Sequence, residues 1–115
     1  MEQQIYIIKF EDISIAEADR YASELRDILL DATPDVRVDR MRDNPQKQDL
    51  GATLALILGT PAVTAIAVAI GNWLKLRNSA SLTIEKDGRV IAKNITSKDA
   101  ARLTELFLAN KREKS

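Results

Sequence analysis

The stretch LGATLALILGTPAVTAIAVAIGNWL, residues 50–74, decides how this chain folds, because it holds no charged residue. By length alone it is a candidate membrane span. Its interior argues for two elements instead. Gly59-Thr60-Pro61 is a stop followed by a start: glycine suits the end of one helix, Thr60 can cap the next, and Pro61 suits a first turn. The pattern predicts two distinct helices rather than one rod, over about 45–58 and about 61–77. The second is roughly 25 Å long, short of the ~30 Å hydrocarbon core of a bilayer. Its large residues, Val63, Ile66, Ile70, Trp73 and Leu74, form one stripe; Ala62, Ala65 and Ala69 make the other side small.

Gly51, Ala55 and Gly59 recur every four residues, as do Ala65 with Ala69 and Ala67 with Gly71. Small residues at that spacing let helix backbones approach closely. Two outcomes follow: the pair packs inside the molecule, or one face stays open to a partner. Two helices with almost no polar face are not both solvated comfortably. Leu54, Leu58, Ala62, Ala65, Ile66, Ala69, Ile70 and Trp73 are therefore the candidate interaction residues.

On the N-terminal side, Gln4 to Phe10 reads as a strand. Ile5 and Ile7 point one way and Tyr6, Ile8 and Phe10 the other, which suggests a central strand covered on both faces. Ser14-Ile15-Ala16-Glu17 fits a capping box, and Ile15, Ala18, Ala22, Leu25, Ile28 and Leu29 form the apolar stripe of the helix it opens. Thr33-Pro34 ends that helix. Val36 to Met41 is a second strand with Val36 and Val38 inward, so strand, helix, strand fits a crossover between parallel strands. Arg42 to Asp49 is polar, contains Asn-Pro and reads as a mobile loop.

On the C-terminal side, Ser81 to Lys86 is a third strand, and Asp87-Gly88 is a two-residue hairpin signal that returns the chain as a fourth, Arg89 to Lys93 or Ile95. Leu82, Ile84, Val90 and Ala92 are its expected inward residues. Thr96 or Ser97 caps a last helix, about 98–110, burying Ala100, Leu103, Leu106 and Phe107. The fold class is α+β: one domain over 1–115, ordered β-α-β-(αα)-β-β-α. It has a mixed four-stranded sheet, packed helices, an apolar Ala/Gly-rich helical pair and a frayed charged tail over 110–115.

Composition narrows the chemistry. Seventeen Lys and Arg balance seventeen Asp and Glu, against the basic excess of a nucleic-acid binder. No cysteine and no histidine occur, so thiol chemistry and the commonest general base and metal ligand are missing. Asp35, Asp39, Asp43 and Asp49 fall on a strand and loop where a four-residue spacing does not stack them as metal ligands. Glu11, Asp12 and Glu17 sit where a helix start favours acids. Ser14, Ser23, Ser79, Ser81 and Ser97 have no histidine to activate them, and Gly51, Gly59, Gly71 and Gly88 make no phosphate loop. Arg37, Arg40, Arg42 and Lys47, and the tail Lys111, Arg112 and Lys114, are interleaved with Asp39, Asp43 and Glu113, which cancels much of their field.

The order of elements then resembles a known family, the type-one effector-associated constant component of bacterial NTP-dependent conflict systems. The resemblance rests on several features: the N-terminal strand, the Gly/Ala-rich apolar segment and its ending Ile70-Gly71-Asn72-Trp73-Leu74-Lys75-Leu76-Arg77. The strand Ser81-Leu82-Thr83-Ile84-Glu85, the Asp87-Gly88 turn with Val90, and a short C-terminal helix complete it. It implies a small non-catalytic component, beside effectors such as proteases or other toxic domains, that couples or recruits. It supplies no catalytic, cofactor-binding or metal-binding residues.

The expectation is a cytoplasmic, non-enzymatic adaptor of a bacterial defence system. It would need no cofactor, bind no nucleic acid, and dock through its apolar helices to a protein partner, an effector encoded nearby, or to further copies of itself. The alternative is a membrane-associated component that inserts residues 50–76 in a bilayer or rests them on it.

Overall fold

Gln4, Tyr6 and Ile8 are buried while Gln3, Ile5 and Lys9 are exposed, the period-two alternation of a strand with one face covered. This is β1, Gln3–Phe10, in a computed structural model that describes residues 3–11, 13–42 and 52–112. The expected loop beyond Arg42, the start of the expected helix at 45–51, and Asp12, Asp43, Lys47, Asp49, Gly51, Glu113 and Lys114 lie outside the described residues.

Ser14 opens α1, Ile15–Ala32, its Oγ accepting the Glu17 amide at 3.1 Å, and Thr33 ends it in extended conformation before Pro34. Next comes β2, Val36–Arg42, with Val36 and Val38 buried. The segment Ala52–Gly59 is then not a helix but a strand, β3. Leu54, Leu56 and Leu58 are fully buried and alternate with Thr53, Ala55 and Ile57 on the other face. Leucine and alanine are good helix formers, but a charge-free octapeptide fits best where neighbours take both its hydrogen-bonding edges. β3 has β1 on one side and β2 on the other.

Gly59-Thr60-Pro61 does separate two elements, a strand and a helix. Thr60–Ala62 form a 3-10 turn with Pro61 in its first turn, leading into α2, Val63–Leu76. Thr60 does not cap it; its hydroxyl accepts instead from Gln4 Nε2 at 3.3 Å. The residues offered to a bilayer are thus an inner strand and a packed helix. Among the described residues no helix is long and apolar enough to cross a membrane.

The C-terminal part follows its turn signals. β4, Leu82–Lys86, and β5, Arg89–Ile95, meet at Asp87 and Gly88, with φ of 49° and 88°. Thr96 and Asp99 close a capping box over the 3-10 turn Ser97–Arg102, which runs into α3, Leu103–Arg112. Lys111 and Arg112, expected in the frayed tail, belong to that helix.

Among the described residues the sheet has five strands, ordered β2-β3-β1-β4-β5, and every neighbouring pair is antiparallel. It is neither four-stranded nor mixed. β1 and β2 run the same way, as a strand-helix-strand unit suggests, but β3 lies between them. With α1 and α2, the first four strands form the β-α-β-β-α-β arrangement of ferredoxin-like folds, extended by β5 and α3. α1 lies against β2, β3 and α2, and α2 meets α3. Phe107 of α3 stacks on Tyr6 of β1 with ring centroids 4.8 Å apart. The core lies between the sheet and this single helical layer.

Two glycines sit where a side chain is costly, one by close approach and one by backbone conformation. A Cβ on Gly71 would stand 3.0 Å from the Ala100 carbonyl oxygen, so α2 meets the 3-10 turn backbone to backbone. Gly71→Ala should cost about 1–3 kcal/mol, because the backbone on the far side must shift; urea melts of the two proteins measure it. Gly88 has open space around its Cβ position, so only its backbone conformation resists a side chain. Gly88→Val should lower stability by about 1–3 kcal/mol, and an unchanged melting curve would place the hairpin turn elsewhere.

Candidate docking surface

Leu54, Leu58, Ile66, Ile70 and Trp73 are fully buried, and Ala62 and Ala69 nearly so; Ala65 alone of the eight candidate residues is partly exposed. Seven of them therefore line the core of the monomer, out of a partner's reach. The apolar character that marked them is spent on the sheet and the neighbouring helices. A docking surface has to be sought among other residues.

Trp73 shows what the helix ending is built for. Trp73 and Arg77 are one turn apart on α2 and both reach Glu24 of α1. The indole Nε1 donates to Glu24 Oε1 at 2.8 Å, and Arg77 donates from Nε to Oε1 at 2.9 Å and from a terminal nitrogen to Oε2 at 2.6 Å. Tyr21 and Phe10 meet the indole edge-on at 5.3 and 5.9 Å, and the Arg77 guanidinium lies 5.7 Å from the Tyr21 ring centre. Hydrogen bonding from Arg77 holds the Glu24 carboxyl below the usual carboxylate range and raises the guanidinium in turn. Burial, with Asp87 adding its charge, pushes the Tyr6 phenol up to about 12, and its hydroxyl donates to Gln4 Oε1 at 2.9 Å. Each shift has a structural partner, and none converges on a cleft with a nucleophile.

The surface that is left is the second face of the sheet. Register carries two rows across it: Arg37, Ile57 and Ile5, then Asp39, Ala55, Ile7, Glu85 and Val90. Ile5 is 45% exposed and Val90 53%, while Ile7 and Ile57 are half-buried. Val90 was expected inward. A register shift on β5 sets Val90 opposite Glu85 and Ala92 opposite Ile84, so the two fall on opposite faces. Ion pairs border the stripe: Lys9 Nζ to Glu85 at 3.0 Å and Arg37 Nε to Asp39 at 3.3 Å. β1 was likewise expected to be covered on both faces. It is central, but the helices lie on one face only. The alternation of Ile5, Ile7 and Lys9 was visible in the sequence; what could not be seen was that no layer among the described residues covers them.

The Glu24 junction gives a pH prediction. A carboxylate whose folded-state pKa is depressed adds stability above its ordinary value of 4.5, and that stability is lost as pH falls through the lower folded value. Glu24→Gln should therefore melt below wild type at neutral pH, with the gap closing as the medium is acidified past that value. Thermal melts across the range test it.

No curated protein and no solved structure matches the chain. The family model of Effector Associated Constant Component 1 matches residues 15–110, from the first turn of α1 into α3, taking in both Glu24 and the helix ending that grips it. The chain belongs to the Effector Associated Constant Component 1 family.

Proposed function

We propose that this chain is a non-catalytic adaptor or assembly module of a bacterial effector system of the conflict or defence type, and that it docks to an effector protein through the open face of its sheet. Family membership supports the association with effectors. A non-catalytic role is favoured by a sequence without histidine or cysteine and by shifted ionisations that each answer to a packing contact. The fold itself is neutral on the matter, since ferredoxin-like sheets host many functions.

The observation that carries the reading is the one-sided sheet. Five strands ~4.8 Å apart and ~20–25 Å long present roughly 500 Å² in projection, the scale of one side of a small specific interface. An apolar centre of Ile5, Ile7, Ile57 and Val90 with a rim of paired charges is the usual anatomy of such a surface. The partner fitted to it is a protein with an apolar patch bordered by both signs of charge.

The test is titration calorimetry of the purified chain against the effector encoded beside it. Ile5→Asp and Ile57→Asp should each weaken binding about a hundredfold or more, because a carboxylate is then desolvated without a partner. Circular dichroism should stay that of the wild type, since neither side chain enters the core. An effector that binds both variants as well as the wild type would move docking to another surface.

A further inference from the structure

Among the described residues the sheet has two outer strands, and they are not alike. β5 is broken by two register shifts and carries Asn94 at a φ of 51°, devices that spoil an edge for further pairing. β2 is regular, pairing with β3 residue for residue from Val36 to Arg42. Its outward backbone groups form an uninterrupted row.

We propose that β2 is a self-association edge: two copies of this chain pair their β2 strands antiparallel about a two-fold axis through Val38, joining two five-stranded sheets into one. Charge selects the partner and the register. With Val38 opposite its own copy, Arg37 of each chain faces Asp39 of the other, and the mutual salt bridge of Arg37 and Asp39 within one strand becomes four charges paired across two. The neighbouring registers fail: centring on Asp39 sets carboxylate against carboxylate, and centring on Arg37 or Arg40 sets arginine against arginine. Sliding by an odd number of residues is excluded, because it turns one strand's faces over. An edge that is attractive to its own copy in one register and repulsive in the next ones fits a second copy of itself.

The helix above the edge offers apolar surface on the same side. Ile15, Asp19, Ser23, Arg26 and Leu30 follow at three- and four-residue steps and form one stripe of α1. Arg40 of β2 is bonded to Asp19 and to Ser23, which turns that stripe toward β2. On it Ile15 is 68% exposed and Leu30 40%, apolar surface that lies beside the edge. Joining the β2 edges brings the two α1 flanks side by side.

The pairing draws on Arg37 and Asp39 at the rim of the open sheet face but leaves its apolar centre of Ile5, Ile7 and Ile57 free, so self-association is tested without touching the residues that carry effector docking. It is tested by sedimentation equilibrium of the full chain at low salt. Wild type should dimerise. R37D and D39R each place like charges across the axis and should weaken self-association about tenfold. Mixed in equal amounts, the two variants should recover wild-type association as a heterodimer, since each then faces the opposite sign. The double exchange R37D/D39R should dimerise like wild type. Arg37 and Asp39 are exposed, so folding is not at stake. A wild type that stays monomeric at high concentration, or a mixture that associates no better than its components alone, overturns the proposal.

Discussion

All three helices share one face of the sheet, and much else in the molecule follows from that constraint. A single layer must cover five strands, so the helices crowd: α2 comes down onto the 3-10 turn until a Cβ at position 71 would stand 3.0 Å from the Ala100 carbonyl oxygen, and Phe107 lies flat on Tyr6. α1 and α2 are held together by one carboxylate, Glu24, which serves an indole and a guanidinium at once. The same constraint empties the opposite face. Ile5, Ile7 and Ile57 are there because β1 and β3 are inner strands, and nothing in the described chain covers them.

Local grammar was legible; the layer was not. Ser14, Thr33-Pro34, Asp87-Gly88 and Thr96 mark their boundaries by chemistry confined to three or four residues, although at Ser14 the recorded bond is the serine's half of the expected capping box. Ala52–Gly59 misleads because its leucines satisfy two periods. Leu54 and Leu58 are four apart, as on a helix, while Leu54, Leu56 and Leu58 alternate, as on a strand. The tie is broken by β1 and β2, outside the window that local periodicity reads, whose edges need a strand between them. Once Ala52–Gly59 is a strand, the four-residue rows of Gly and Ala lose their meaning as helix contacts. The candidate residues rest on the same local signal. Apolar content identified Ile66, Ile70 and Trp73 as residues that must leave water, and they leave it for the core.

The helix ending on which the resemblance rests has a physical content beyond its letters. Trp73 and Arg77 stand four apart so that both meet Glu24, and the intervening Leu74 is buried. The family match over residues 15–110 takes in this joint between the two helices. The functional surface, in the reading proposed above, consists of residues whose individual signals are weak: isoleucines on a strand and short-range pairs of opposite charge. Such residues become informative only when register sets them beside one another.

The placement of β3 also bears on how the chain acquires its structure. β1 and β2 lie one strand apart and share no ladder, so neither can hold the other while the space between them is empty. A chain emerging from the ribosome with β1, α1 and β2 complete has a helix and two unpaired strands. The central ladder closes only when residues 52–59 arrive, and it closes in both directions at once. Long-range closure of this kind is slow relative to helix formation. Until it happens, the leucine side chains of β3 are uncovered, and the interval before their insertion leaves the nascent chain open to misassociation.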